Sequence, residues 1–444
     1  MRWLTSLIMT RMSKPEQLEK QRAKFERQRI KAGAPRVLEY FHQVDDGYSH
    51  LAAQTLQALA ARYDVKLVCH MVPGPQGGNV ADAELLLKLS RYDAFHVAPA
   101  YGLTFPEHPN APDNSLLRLA KSILAAQDGV GFMTHLVAVG QALWSGDEAA
   151  LKTLAVRLGS VSEEQAEAKI AEGAAYQAAL KHYSGAMFYY AGEWYWGVDR
   201  LYHLEKRLAA QSADLKPGEP MLMPRPAVEA SELKDDGSLT LEIYPSLRSP
   251  YTAVVFDRAV QLAKATGIKL VTRPVLPMVM RGVPATRQKG MYIFQDAARE
   301  AREAGVSYGQ FADPIGDPVR RAYSLYPWAC EQSKGNELIS SFLRCAFAEG
   351  INTNTEKGLR TAVEKAGLEW EQAQSVLGKP GWEDLLESNR LAMYEAGLWG
   401  VPSFRLLNAR GEQVLALWGQ DRLWLFAREI QRQLEMGQQA RAAN

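Results

Sequence analysis

Two α/β domains in tandem are the fold class that this sequence predicts, each built as a β-α-β unit, a run of inserted helices and a closing β-β-α unit. Three observations lead there: a length of 444 residues, a set of matches at one fixed offset, and a proline-rich connector between the matched stretches. A chain of this length outgrows a single hydrophobic core, so two or three domains are expected. With 47% hydrophobic and 23% charged residues, the composition is that of a globular protein.

The repeat decides the architecture. Leu38-Glu39-Tyr40-Phe41 matches Leu241-Glu242-Ile243-Tyr244, and Val65-Lys66-Leu67-Val68 matches Ile268-Lys269-Leu270-Val271, both 203 residues further on. Tyr48 falls on Tyr251, Asp93-Ala94 on Asp296-Ala297 and Gly102 on Gly305 at the same offset. Later, Trp196-Gly197-Val198-Asp199-Arg200-Leu201 matches Trp418-Gly419-Gln420-Asp421-Arg422-Leu423 at an offset of 222. The order therefore holds, with extra residues inserted late in the second copy. Two unrelated β-α-β units would not keep one register over so long a stretch.

The chain then divides in order. Residues 1–34 read as an N-terminal arm, with 13–31 rich in Lys, Arg, Gln and Glu and expected to be a solvated helix or a mobile segment. The apolar run at the start is short and lacks a small-residue cleavage site, so it does not read as a signal peptide. No apolar stretch is long enough to span a bilayer. Residues 35–211 form the first domain. Residues 212–238 carry Pro217, Pro220, Pro224 and Pro226, then Lys234-Asp235-Asp236-Gly237, and read as an extended connector ending in a turn. Residues 239–444 form the second domain.

Within the second copy, residues 239–244 alternate apolar and polar and predict a strand. Ser249 is an N-cap residue and Pro250 suits the first helical position, so a helix runs from about 251 to 266 and stops at Gly267. A strand at 268–272 completes a right-handed β-α-β unit. Residues 289–396 are mostly helical, with proline- and glycine-bearing turns. Residues 404–407 and 414–417 read as a hairpin about Asn408-Ala409-Arg410-Gly411. A last helix is expected to start at Asp421 as its N-cap. This is the thioredoxin order with a helical subdomain inserted.

Chemistry is bounded by what is missing. A net charge of +1 gives no long-range pull toward nucleic acid. Cys69, Cys330 and Cys345 form no CxxC pair and no zinc spacing, and so sparse a set suits a reducing, cytoplasmic setting. Cys330 and Cys345 are expected to be buried small hydrophobes. All eight histidines lie at or before His203, so the second copy has no imidazole base of its own. Ser-His and Cys-His catalysis within it is excluded.

Three loops of the second copy should meet: Arg248-Ser249-Pro250-Tyr251-Thr252, Gly400-Val401-Pro402-Ser403-Phe404 and Trp418-Gly419-Gln420-Asp421-Arg422. Proline before a strand in this setting is expected to be cis, and a helix N-terminus favours an anion. Together with Lys289-Gly290-Met291-Tyr292, residues 239–435 resemble the 2-hydroxychromene-2-carboxylate isomerase and kappa-class glutathione transferase family of the DsbA-like group. That resemblance implies glutathione as cofactor. It implies that Ser249 donates a hydrogen bond to the glutathione sulfur and that Val401 and Pro402 present backbone to its cysteinyl part. Gln420 and Asp421 would hold the γ-glutamyl end, and Lys289 would face a carboxylate. Tyr251, Tyr292 and Trp399 would line the substrate pocket, with Trp194, Trp196 and Trp418 as further core or pocket walls. A serine at a helix N-terminus needs no base if it stabilises a thiolate rather than attacks.

In the first copy Asp46 takes the place of Ser249, Gly47 of Pro250, Leu86 of Lys289, Leu89 of Tyr292, and Ala186 of Pro402. An acid beside a thiolate would raise its pKa, so this copy is expected to take no glutathione and to act as a packing partner in an intramolecular pseudo-dimer. His42, His50 and Asp46 could be imagined as metal ligands, but loop histidines in solvent are the expected reading, and no metal is expected. The first expectation of function is thus a glutathione-dependent isomerase or transferase acting on a hydrophobic small-molecule electrophile. The alternatives are an inactive tandem that binds a protein or peptide partner by strand addition, and a DsbA-type thiol oxidoreductase.

Overall fold

The computed structural model describes residues 2–107, 110–230, 232–283 and 285–442. The chain splits into two compact units, residues 19–226 and residues 1–18 with 227–444. The helices α1 (Arg2–Ser13) and α2 (Pro15–Lys31) come first, and the division falls within α2. The first unit continues with β1 (Val37–His42), α3 (Gly47–Ala53), α4 (Leu56–Arg62), β2 (Lys66–Met71) and α5 (Ala83–Val97). Then follow α6 (Asn114–Ala125), α7 (Gly129–Trp144), α8 (Glu148–Leu158), α9 (Glu163–Ala179), β3 (Met187–Tyr190), β4 (Glu193–Trp196) and α10 (Leu201–Ala210). The second unit holds β5 (Thr240–Tyr244), α11 (Pro250–Thr266), β6 (Lys269–Thr272), α12 (Arg287–Glu303), α13 (Asp317–Glu331) and α14 (Gly335–Phe347). It closes with α15 (Glu356–Lys365), α16 (Trp370–Val376), α17 (Trp382–Glu395), β7 (Ser403–Leu407), β8 (Gln413–Trp418) and α18 (Leu423–Ala442).

The sheets have the orders β2-β1-β3-β4 and β6-β5-β7-β8. In each, the first two strands are parallel and the last two run antiparallel as a hairpin. The parallel pair needs a crossover and the antiparallel pair only a turn, which is why helices lie between the former and a short loop between the latter. The central strands are buried almost throughout, and Leu38, Tyr40 and Phe41 have their counterparts in Leu241, Ile243 and Tyr244. The alternation read at 239–244 does not send Glu242 to solvent. Both faces of β5 are buried from Leu241 to Tyr244, so Glu242 is buried as well, and its charge is met by Arg273 at 2.7 Å and Arg405 at 3.7 Å.

Several bonds recur 203 residues apart, and one more recurs in the same order beyond that offset. Glu39 pairs with His70 at 2.7 Å as Glu242 pairs with Arg273. The Tyr48 hydroxyl donates to Asp93 and that of Tyr251 to Asp296, each at 2.8 Å. Gln43 N donates to Ser49 Oγ as Ser246 N donates to Thr252 Oγ1. Gly197 N donates to Ala186 O as Gly419 N donates to Pro402 O.

Within the arm, α1 and α2 account for most of residues 2–31, and α2 is tied down. In α2, Arg22 forks onto Glu193 at 2.8 Å, and Phe25 lies against Gly192. The connector is also fastened at its start. Arg62 grips Asp214 through Nε at 2.6 Å and Glu219 through Nη1 at 3.0 Å, while Glu205 accepts from the backbone of Leu222 and Met223. At its end Asp235 accepts from Gly237 N and Leu239 N, making the expected turn into β5.

Candidate functional site

Chain direction at the end of β5 is set by hydrogen bonds before any functional group enters. Ser246 N donates to Thr252 Oγ1, and Leu247 N donates to the Tyr323 hydroxyl at 3.0 Å. Ser249 then caps α11 with extended backbone, its Oγ accepting from Thr252 N at 3.2 Å. Its own proton goes to Val401 O, 3.3 Å away and 152 residues along the chain. The Val401–Pro402 peptide bond is cis, as expected for a proline in that position. Pro402 O in turn accepts from Gly419 N at 3.0 Å. Ser249, Val401, Pro402 and the start of the Gly419 loop therefore meet at the N-terminal end of α11.

Asp421 is not the cap of α18. Residues Gln420–Arg422 form a single 3₁₀ turn, and α18 starts at Leu423. The Asp421 carboxylate folds back over Gly419, where a side chain's Cβ would lie 2.5 Å from Oδ1, and it sits 3.6 Å from Arg422 Nη1. Gly419 adopts a φ of +120°, which only glycine takes readily. Gln420 turns the other way. It is buried, and its amide donates to Glu300 of α12 at 2.7 Å, so its side chain serves the α12 contact.

The aromatic residues divide similarly. The Tyr251 hydroxyl is committed to Asp296, which also takes Arg299, and the ring packs beside Val254, Ala297 and Ala301. Tyr251 thus joins α11 to α12. Tyr292 is half-buried on α12. Trp399 is buried 5.8 Å from the Trp418 ring, and Trp418 lies against the backbone of Gly400. Together they brace the turn that leads into Val401. Lys289 is in the first turn of α12, behind the Thr286 cap, and burial lowers its pKa from the ordinary lysine value.

One pair was not anticipated. Arg248, beside Ser249, forks onto Asp313 with Nε–Oδ1 at 2.9 Å and Nη2–Oδ2 at 3.1 Å. Nothing in the spacing of Arg248 and Asp313 announces the contact. A charged residue next to a helix cap was the sole hint.

The corresponding loop of the first unit differs in chemistry. Asp46 caps α3, accepting from Tyr48 N, Ser49 N and Ser49 Oγ, and burial raises its pKa to about 6. Where the second unit has cis Pro402, Ala186 takes a left-handed φ of +57°. His42 and His50 are not solvated: they are 2% and 3% exposed, and burial pushes their pKa values down to about 3 and about 4. Tyr40 gives its one proton to Ser49 O at 2.7 Å, so the His42 nitrogen 3.0 Å from it must be the donor. Among the described residues no cluster of His, Cys, Asp or Glu could hold a metal ion. Cys345 is buried as expected, but Cys330 is exposed on α13.

Residues 240–431 match the DSBA-like thioredoxin domain. The C-terminal region is therefore a DSBA-like thioredoxin domain. No curated protein matches the chain in sequence. Among solved structures, 2-hydroxychromene-2-carboxylate isomerase is similar at 19% identity and a TM-score of 0.39, covering 45% of this chain and 98% of its own. A probable DsbA oxidoreductase from Streptomyces coelicolor is similar at 20% identity and a TM-score of 0.35, over 44% of this chain and 89% of its own. The cytosolic disulfide reductase DsbM from Pseudomonas aeruginosa, solved with GSH, is similar at 16% identity and a TM-score of 0.32, over 45% and 99%. No helix among the described residues is long and apolar enough to cross a membrane.

Proposed function

We propose that the DSBA-like domain binds glutathione and acts as an isomerase or transferase on a hydrophobic electrophile. The observation that carries this reading is the Ser249 hydroxyl, held at the N-terminus of α11 and aimed at the carbonyl of Val401 beside cis Pro402. The donor set fits a thiol ligand: a hydroxyl proton and a helix N-terminus that favours negative charge. Glutathione, when bound, supplies the sulfur nucleophile. Ser249 would turn its proton from Val401 O to the sulfur and hold it as a thiolate, which needs no base from the chain. Asp421 would accept from the ligand's amino group and Lys289 would face a carboxylate. Gln420 would contribute by supporting the turn against Glu300.

We further propose that the two units are copies of one ancestral domain, supported by three bonds paired at the 203-residue offset and a fourth paired in the same order beyond it, and that only the second copy takes glutathione. Asp46 in the place of Ser249 and the left-handed Ala186 in the place of Pro402 favour that division. Disulfide exchange is disfavoured because Ser249 and Thr252 stand where a redox pair would need two thiols. Calorimetry tests the reading. Saturable glutathione binding is expected for the full chain, and at least about tenfold weaker binding, near 1.4 kcal/mol, for Ser249→Ala with Asp421→Ala. A full chain that takes up no glutathione at millimolar concentration would overturn it and favour a protein or peptide partner.

A further inference from the structure

The N-terminal helix belongs to the same compact unit as the DSBA-like domain, although more than two hundred residues separate them in sequence. Its contacts with residues 302–313 are specific. Ser6, Thr10 and Ser13 are spaced four and three apart, which places them on one helix face. Ser6 Oγ accepts from Asp313 N at 3.2 Å and Thr10 Oγ1 accepts from Phe311 N at 2.9 Å. Ser13 Oγ donates to Gly309 O at 2.8 Å, and Arg302 donates to Ser13 O at 3.1 Å. Gly309 has a φ of +118°, a conformation that favours glycine, and a Cβ there would lie 3.1 Å from Ser13 Oγ. The loop held in this way ends in Asp313, and Asp313 takes the fork of Arg248.

We propose that the N-terminal helix, through Asp313 and Arg248, positions the Ser249 loop. The hydroxyl ladder of α1 sets the loop at 309–313, that loop sets Asp313, and the two parallel bonds to Arg248 fix the backbone immediately before the cap. A bidentate pair constrains orientation as well as distance, so a shift in the loop is passed to Ser249 rather than absorbed. Arg248 and Asp313 are positioning residues, since neither need touch a ligand. For its effect on glutathione the inference rests on the reading above, but its structural step does not.

The test is native-state hydrogen exchange on the full chain, wild type against Ser6→Ala/Thr10→Val/Ser13→Ala, and separately against Asp313→Ala. The Thr252 amide reports the cap because it is bonded to Ser249 Oγ. Both variants should speed exchange at Thr252 by about three- to tenfold, and the triple variant should also speed Phe311 and Asp313, with the β5 amides unchanged. Arg248→Ala added to Asp313→Ala should have little further effect. Faster exchange at 311 and 313 with Thr252 unmoved would overturn the proposal, as would no change at any of them. A uniform rise that includes β5 would mean general loss of stability and would equally overturn it. Glutathione affinity should weaken in step with Thr252. If the wild type takes no glutathione, the earlier reading fails while the exchange result still decides this one.

Discussion

At the residue scale, charge placement makes the first unit acid-sensitive. Burial holds His42 at about 3, His50 at about 4 and His182 at about 3, all below the ordinary 6.5. The unfolded chain takes up these protons as the pH falls below about 6.5 and the folded unit does not. The stability is present above that pH and is lost as the pH falls, by about 1.4 kcal/mol per pH unit for each histidine. Asp46 acts oppositely. Its folded pKa is raised to about 6, so its contribution is full below the unfolded value and is lost as the pH rises through 6. Three histidines outweigh one carboxylate, so calorimetric melting of the first unit should fall steadily from pH 6.5 to 4. His42→Phe with His50→Leu should flatten that slope, and an unchanged slope would assign the sensitivity to other groups. The second unit carries no histidine and should melt without this dependence.

At the scale of elements, close approach decides which glycines can change. Helix α9 crosses β2 so tightly that a Cβ on Gly173 would lie 2.0 Å from Met71 O, a backbone atom that cannot swing aside. Gly173→Ala should lift α9, stretch the 3.1 Å bond from Tyr176 to Glu39, and cost about 1–3 kcal/mol in thermal unfolding. Gly290, in the first turn of α12, has open space around it, and Gly290→Ala should be neutral or stabilising by about 0.5–1 kcal/mol. Equal effects of the two changes would contradict the packing argument. Much at this scale was legible in the chain. Ser249, Pro250 and Gly267 mark the ends of α11 because caps depend on residues a few positions apart. The cap expected at Asp421 gives way to a 3₁₀ turn at Gln420–Arg422, with the Asp421 carboxylate folded over Gly419.

At the scale of the whole molecule, the DSBA-like domain at 240–431 has no thiol in the loop that caps α11, where Ser249 and Thr252 stand. Cys69, Cys330 and Cys345 lie on β2, α13 and α14, away from that loop, and desolvation raises the pKa of Cys69 and Cys345. The chain as it stands should therefore show no disulfide between Ser249 and Thr252 positions and little reductase turnover. Ser249→Cys with Thr252→Cys should form an internal disulfide that a thiol-reactive mass tag detects as two groups masked on oxidation. Failure to form it in a folded variant would mean that the start of α11 does not bring positions 249 and 252 within disulfide reach.

The chain alone determined the matches at an offset of 203 residues, the strand positions, the caps of α11, and the absence of both a redox pair and an imidazole from residues 239–444. Each of these depends on residue type and spacing within a few turns, so it survives in one dimension. The tertiary structure decided that Glu242, His42 and His50 are buried, that Gln420 faces Glu300 and Tyr251 faces Asp296, and that α1 grips the loop leading to Asp313. Those outcomes depend on which element covers a given face, and coverage is set by segments tens to hundreds of residues away.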